Sequence, residues 1–188
     1  ILEDVEKAIV KRCREGIRMG MPQDEKTNFG PVVSAAHMDK VNSYIRHGKE
    51  VDRAQVLYDG AVDAQKQKPP PNGYWIPPVV FTRCSDDMRV VREEIFGPVL
   101  SIIPFETEED AIRIANDSRF GLGGGIFTTD TDKAVTLAET HFDTGMVFIN
   151  GFGLAQPDMP FGGVKNSGYG REHGGFGMKE FVNVKAIN

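Results

Sequence analysis

Two short segments of this 188-residue sequence combine residue types that do chemistry. In Glu93-Glu94-Ile95-Phe96-Gly97-Pro98, adjacent carboxylates run into an aromatic ring and then a Gly-Pro turn that opens an apolar strand. A carboxylate accepts hydrogen bonds from vicinal hydroxyls and a ring packs against a ring, so this entry suits a clamp on a polar, ring-bearing ligand. The same residues also fit a solvated acidic pair beside a core phenylalanine. The second segment, Pro160-Phe-Gly-Gly-Val-Lys-Asn-Ser-Gly-Tyr-Gly-Arg-Glu172, joins backbone freedom to the charges of Lys165 and Arg171, and reads as a conformationally demanding loop.

Other candidates carry less. Cys13 falls on an apolar helix stripe and Cys84, between Arg83 and Ser85, reads as an ordinary loop thiol; a reactive thiolate needs exposure and a positive neighbourhood. A thiol-dependent acyltransferase or esterase using Cys84 is the rival this leaves. His37, His47, His141 and His173 form no H-E-x-x-H or i,i+4 pair, and no Cys-x-x-Cys occurs, so no metal site is expected. Gly121-Leu-Gly-Gly-Gly125 precedes a strand instead of opening a helix, which is the wrong order for a dinucleotide loop, and Gly162 to Ser167 lacks the G-K-[ST] of a phosphate loop.

The elements that must position these residues follow from periodicity. Ile1, Val5, Ile9, Cys13 and Ile17, with Leu2 and Ala8, predict an amphipathic helix to about residue 19, stopped by Met19-Gly20-Met21-Pro22. Ser34 caps a second helix bearing Met38, Val41, Tyr44 and Ile45, with Gly48 near its end, and 54–58 reads as a strand. Lys66 to Asn72, with Pro69-Pro70-Pro71, predicts an exposed polyproline connection before the apolar run from Tyr74 to Phe81. From Val99 onward the pattern is strand to Phe105, helix from Thr107, strand over Gly123–Phe127, helix around Ala134–Ala138, and strand over Met146–Ile149. Two right-handed crossovers and a parallel sheet follow, so the fold class is α/β with flanking helices. Val182, Val184 and Ala186 share one face of a terminal strand whose unpaired backbone needs a cover, for which subunit pairing is one solution.

Composition excludes several classes. Hydrophobic residues at 40% and charged residues at 26% are ordinary globular usage, and a net charge of −5 with no sustained basic run argues against nucleic acid as a partner. No apolar run is long enough for a membrane span. Two cysteines make no disulfide framework, which suits a reducing, cytoplasmic compartment. An opening in mid-helix without Met leads us to expect a fragment of a longer polypeptide.

Taken together and in this order, E-E-I-F-G-P at 93–98 and P-F-G-G-x-K-x-S-G-x-G-R-E at 160–172 resemble signatures of the NAD(P)-dependent aldehyde dehydrogenase superfamily. The likeness continues through Gly30-Pro31, Gly73 to Pro78, Asn116 to Phe127, Val147 to Asn150 and the last strand, and so covers essentially the whole chain. Phe148-Ile-Asn-Gly151 and the surroundings of Pro160 are most similar to the succinate-semialdehyde dehydrogenase branch. The resemblance implies an enzyme that oxidises an aldehyde to a carboxylic acid: a cysteine thiolate captures the aldehyde, hydride passes to the nicotinamide, and a glutamate-activated water releases the acid.

Carried over residue by residue, Glu94 matches the glutamate that hydrogen-bonds the nicotinamide ribose and Phe96 the aromatic beside it. Phe161, with Phe152, Ala155 and Gln156, falls on the loop that lines the substrate tunnel in relatives; Lys165 to Arg171 shape that loop. No catalytic residue is carried over, because neither a G-Q-x-C nucleophile context nor an E-L-G-G-K general-base context occurs in these 188 residues, nor does a Rossmann half. The expectation is therefore a piece that begins after the catalytic cysteine, with part of the catalytic domain over 1–178 and an oligomerisation strand over 179–188, inactive alone and joined as a homodimer or tetramer in its parent. A cysteine-less paralogue serving as a structural or regulatory subunit is the alternative. The residues that choose between NAD and NADP are absent. Residues 151–159 offer Gln156 and Asp158 but no Arg, Lys, Ser or Thr for the far carboxylate of succinate semialdehyde.

Overall fold

The computed structural model describes residues 2–67, 72–153 and 155–187, which fall into two compact units, Ile1–Pro104 and Phe105–Asn188. The centre of the expected polyproline connection, 68–71, lies outside the described residues.

The first unit contains α1 (Leu2–Gly16), α2 (Ala35–Glu50), β1 (Gln55–Asp59), α3 (Ala61–Gln67), β2 (Val79–Thr82), α4 (Arg89–Arg92) and β3 (Val99–Ser101). Its sheet has the order β1-β2-β3, with β1 antiparallel and β3 parallel to β2. All four residues of the central strand β2 are buried, as expected of a strand covered on both faces. The core gathers Val41 and Tyr44 of α2 with Ile76, Phe81, Val90 and Ile95. Ser34 caps α2 by accepting from the His37 amide at 3.1 Å. Helix α1 stops at Gly16, short of the Met19-Gly20 signal, and no α1 residue is fully buried. Its half-buried face runs through Leu2, Glu6, Ile9 and Cys13, while Val5 is exposed. Glu6 belongs on that face because its carboxylate accepts from the hydroxyl of Thr82, which is wholly buried. Cys84 does lie in the connection between β2 and α4, but its thiol is packed into the core at 2% exposure, and burial raises its pKa.

The second unit contains α5 (Glu108–Asn116), β4 (Phe120–Gly121), β5 (Gly124–Ile126), α6 (Thr131–Thr140), β6 (Val147–Ile149), β7 (Val164–Lys165), α7 (Gly174–Gly177) and a 3₁₀ turn, Met178–Phe181. Strands β5 and β6 pair in parallel, Gly124 opposite Val147 and Ile126 opposite Ile149, with α6 as the crossover between them. Asn150 extends this ladder with its side chain, accepting from the Thr128 amide at 2.9 Å and donating to the Thr128 carbonyl at 2.8 Å. Thr107 and Asp130 cap α5 and α6.

One expectation changes. The three strands read from 99 to 149 as one parallel run lie in separate ladders, β3 with β2 and β5 with β6. At the end of the chain Phe181 closes the 3₁₀ turn, Val182 is extended, and 183–187 pair with nothing among the described residues; the strand expected there is one that takes its ladder from a second chain.

Candidate functional site

One stripe of α2 builds the acidic-aromatic segment. His37, Val41, Tyr44 and Gly48 recur at helical spacing, and each meets a successive piece of 89–97. Gly48 is packed so closely that a Cβ there would lie 2.8 Å from Phe81 Cζ and 2.9 Å from Val90 Cγ1. The Tyr44 hydroxyl donates to Glu93 Oε2 at 2.5 Å, and Arg89 Nε donates to Glu93 Oε1 at 3.0 Å. The Arg89 guanidinium also stands 4.5 Å from the centre of the Tyr44 ring. The hydrogen bond to Glu93, then burial, raises the Tyr44 pKa, so the phenol keeps the proton it donates. Val41 meets Gly97, where a Cβ would fall 2.5 Å from Val41 Cγ2. His37 Nε2 lies 2.6 Å from the Phe96 carbonyl oxygen, and because a carbonyl only accepts, this nitrogen carries the hydrogen. Helix α4 has no side-chain cap of its own; Asp52 accepts from the Val90 amide at 3.1 Å and pairs with His47 at 3.2 Å.

This scaffold separates the two acids. Ile95 is buried, while Glu94 and Phe96 on either side of it face outward, Phe96 at 74% exposure. Phe96 is therefore not a core residue, and the reading as a solvated pair beside a core ring fails on both counts, since Glu93 is tied down. Glu94 has no ion pair or side-chain hydrogen bond among the described residues, and it lines, with Phe96, Val99 and Ser101, a groove of about 350 Å³. Phe96 holds φ 58°, a left-handed conformation that costs a non-glycine residue about 1–3 kcal/mol and needs surrounding constraint. A carboxylate free to accept two hydrogen bonds beside an exposed ring is suited to a sugar diol and the base or ring attached to it.

The glycine-rich loop of the second unit is closed by Phe161 and Glu172, which exchange backbone hydrogen bonds of 2.8 and 2.7 Å. Its polar side chains hold the loop itself. Arg171 Nη1 donates to the Gly163 and Gly170 carbonyls at 2.8 and 2.7 Å, Ser167 Oγ accepts from the Gly121 amide at 3.0 Å, and Lys165 Nζ donates to the Asn116 carbonyl at 3.0 Å while facing Asp143 at 3.3 Å. A Cβ on Gly145 would overlap the Gly162 carbonyl, so only glycine admits the loop this close. Phe161, Tyr169, Arg171, His173 and Phe181 are among the residues lining a pocket of about 710 Å³.

His173 is the residue that sequence reasoning missed. Its backbone, φ 59° and ψ −178°, occupies a region used almost only by glycine. Its ring packs near Phe161, centroids 6.0 Å apart, and its Nδ1 lies 3.2 Å from the Gln156 carbonyl. Thus the structure links Phe161 to the main chain of Gln156 through His173. It does not gather Phe152 and Ala155 with them: both are exposed, Phe152 at 91%, and neither lines the pocket. The only sequence signal was a histidine placed immediately before a glycine pair. The other non-glycine residues with positive φ are Arg53, Arg83, Asn150 and Lys165, of which only Lys165 lies within the two segments singled out. Among the described residues no group of three potential ligands is placed to hold a metal ion, and no helix is long and apolar enough to cross a membrane.

Comparison with known proteins agrees on one family. The pattern of the aldehyde dehydrogenase family matches residues 1–187. Solved structures similar to this chain include betaine aldehyde dehydrogenase from Staphylococcus aureus in complex with NAD+, at 37% identity and a TM-score of 0.83 over 95% of this chain and 35% of that one. An NAD+ complex of aldehyde dehydrogenase from Bacillus cereus is 35% identical, with a TM-score of 0.87 over 98% of this chain and 36% of that one. Aldehyde dehydrogenase from Mycobacterium tuberculosis complexed with NAD+ is 39% identical, with a TM-score of 0.81 over 95% of this chain and 35% of that one. The chain thus spans little more than a third of the length of these relatives.

Proposed function

The chain belongs to the aldehyde dehydrogenase family, and we propose that its residues form the part of an NAD(P)-dependent aldehyde dehydrogenase that holds the nicotinamide ribose and lines the aldehyde's approach. The observation that carries this reading is the outward pair Glu94 and Phe96 beside a groove, with Glu93 tied back. The pair fits the cofactor: a ribose presents adjacent hydroxyl donors, and Glu94 offers two acceptor oxygens with no competing partner among the described residues. When bound, the dinucleotide supplies the acceptor for the hydride that leaves the aldehyde carbon. Glu94 would accept from the ribose hydroxyls, and the Phe96 ring would pack beside them. We take NAD as the dinucleotide, as in the three relatives.

On the substrate side, Phe161 provides an apolar wall fixed by His173, and Phe152, Ala155 and Gln156 are assigned to the same approach on the family resemblance. Succinate semialdehyde is the substrate the branch similarity suggests. Its distal carboxylate needs a cation or hydroxyl that 151–159 does not contain, so a panel of charged and uncharged aldehydes on the complete enzyme decides between it and an aliphatic or aromatic aldehyde. The nucleophile and general base are not among these 188 residues. Neither Cys13 nor Cys84 lies in a G-Q-x-C context, Cys84 is buried in the core, and burial raises the pKa of both thiols. We assign 1–178 to the catalytic domain and 179–188 to a strand that joins subunits of a homodimer or tetramer. The cytoplasm suits two unpaired thiols.

The test has two arms. The chain alone reduces no NAD with any aldehyde. In the complete enzyme Glu94→Gln slows single-turnover hydride transfer by about tenfold or more, because small misplacements of reacting groups are costly. An unchanged single-turnover rate overturns the role of Glu94.

A further inference from the structure

The α2 stripe touches the segment on both sides of the outward pair, at the residue before Glu94 and at the carbonyl of Phe96 itself. Neither Tyr44 nor His37 lines the groove, although Glu93, which Tyr44 holds, does. Tyr44 fixes Glu93 through a 2.5 Å hydrogen bond, in a position where Arg89 also donates to the same carboxylate. His37 fixes the Phe96 carbonyl at 2.6 Å, the peptide that follows the left-handed φ of 58°. Between these anchors lie three residues, of which only Ile95 packs into the core. Glu94 and Phe96 face solvent, and the ring beside Phe96 is that of His37, centroids 6.5 Å apart, so their direction depends on α2 more than on the core. Without the anchors, the segment has two ready ways to relax: Phe96 leaves the left-handed region for a lower-energy one, and Glu93 turns out beside Glu94.

We propose that Tyr44 and His37 are positioning residues for the dinucleotide site, a pair of clamps from one helix face that aim Glu94 and Phe96 without touching the ligand. The proposal rests on the ribose-holding reading of Glu94. It also assigns the tandem acids separate tasks: Glu93 is the anchor and Glu94 the ligand acid. Arg89 restrains Glu93 as well, so loss of the Tyr44 hydroxyl loosens the anchor without freeing it. Loss of the His37 donor removes the only side-chain hydrogen bond found on the Phe96 carbonyl among the described residues.

The experiment uses the complete enzyme and compares Tyr44→Phe, His37→Ala, His37→Gln and Glu94→Gln, with KM for NAD, KM for the aldehyde, single-turnover hydride transfer and Tm read for each. Tyr44→Phe deletes one oxygen from a buried ring. It is expected to raise KM for NAD and slow hydride transfer by about three- to tenfold, the worth of one buried hydrogen bond, with the aldehyde KM unchanged. His37→Ala has the same signature, and His37→Gln, whose amide can place a donor near the former Nε2, restores most of the loss. If Tyr44→Phe and His37→Ala lower Tm but leave the NAD parameters at wild-type values while Glu94→Gln changes them, the two residues are merely structural and the proposal is overturned. Failure of His37→Gln to rescue overturns the hydrogen-bond account of His37. If Glu94→Gln is silent too, the ribose reading itself falls, and this inference with it.

Discussion

Glu93 and Glu94 have the same chemistry and opposite surroundings, and the difference originates in another element. Residue types and order were enough to mark the segment, because a carboxylate and a ring before Gly-Pro are unusual neighbours. They did not say which acid faces outward, since that depends on where Tyr44 stands when α2 is folded. His173 was illegible for a related reason: its role is written in a backbone conformation, not in a spacing. A second buried phenol allows a sharper prediction. Tyr58 is 5% exposed and donates to Asp63 Oδ2 at 3.0 Å; burial first, then this hydrogen bond and the nearby charge, push its pKa from 10.0 up to about 12. Between these values the unfolded chain loses a proton that the folded chain keeps, so fewer protons are bound on unfolding and stability falls as pH rises. The loss begins near pH 10, levels off near pH 12, and is on the order of 1–3 kcal/mol. Denaturant midpoints measured across this range should decline in the wild type and flatten in Tyr58→Phe; parallel curves would show that Tyr58 does not carry the effect.

At the scale of elements, helices were the most legible because their stripes and caps are local. Ser34 and Thr107 cap α2 and α5 as their positions suggested, and α6 with its flanking strands forms the expected parallel crossover. Strands β4 and β7 have two residues each, too short to leave a period, and the register of β3 against β2 is a long-range choice. Gly48 shows how an element's role can hide in an ordinary residue. A glycine inside a helix costs about 1 kcal/mol relative to alanine, so propensity alone favours Gly48→Ala. The added Cβ, however, would meet Phe81, which is wholly buried, and Val90 at 4% exposure. Both are hemmed in by the core, and overpacking of this kind costs about 1–3 kcal/mol. Sterics should outweigh propensity, making Gly48→Ala destabilising by up to about 2 kcal/mol net. The displaced Val90 begins the turn into Glu93, so NAD affinity in the complete enzyme should weaken together with Tm. A stabilised variant would mean that α2 can slide away from β2, and would remove the close approach from the account of the site.

At the scale of the whole molecule, the end of the chain carries apolar side chains that this chain does not cover. Val182, Val184 and Ile187 are 59%, 93% and 89% exposed, and 183–187 form no ladder among the described residues. The alternation of the segment predicts a strand. The partner that would make it one is not legible there, because a ladder requires a second set of backbone groups and no pattern within the segment supplies them. In the proposed assembly, Val182, Val184 and Ala186 face one way along an extended segment, so a single charge at the middle position would be placed among apolar neighbours as the strands come together. Val184→Lys in the complete enzyme is therefore expected to lower the oligomeric order observed by sedimentation velocity. Lysine is also the residue with which natural edge strands discourage pairing. The monomer's stability should change little, because Val184 contributes almost no burial within the chain. A control at Lys185→Glu, on the opposite side of the same strand, should leave assembly intact if the direction of the side chains is as the alternation implies. Unchanged sedimentation of Val184→Lys would remove this segment from the interface and leave its exposed valines without an assigned cover.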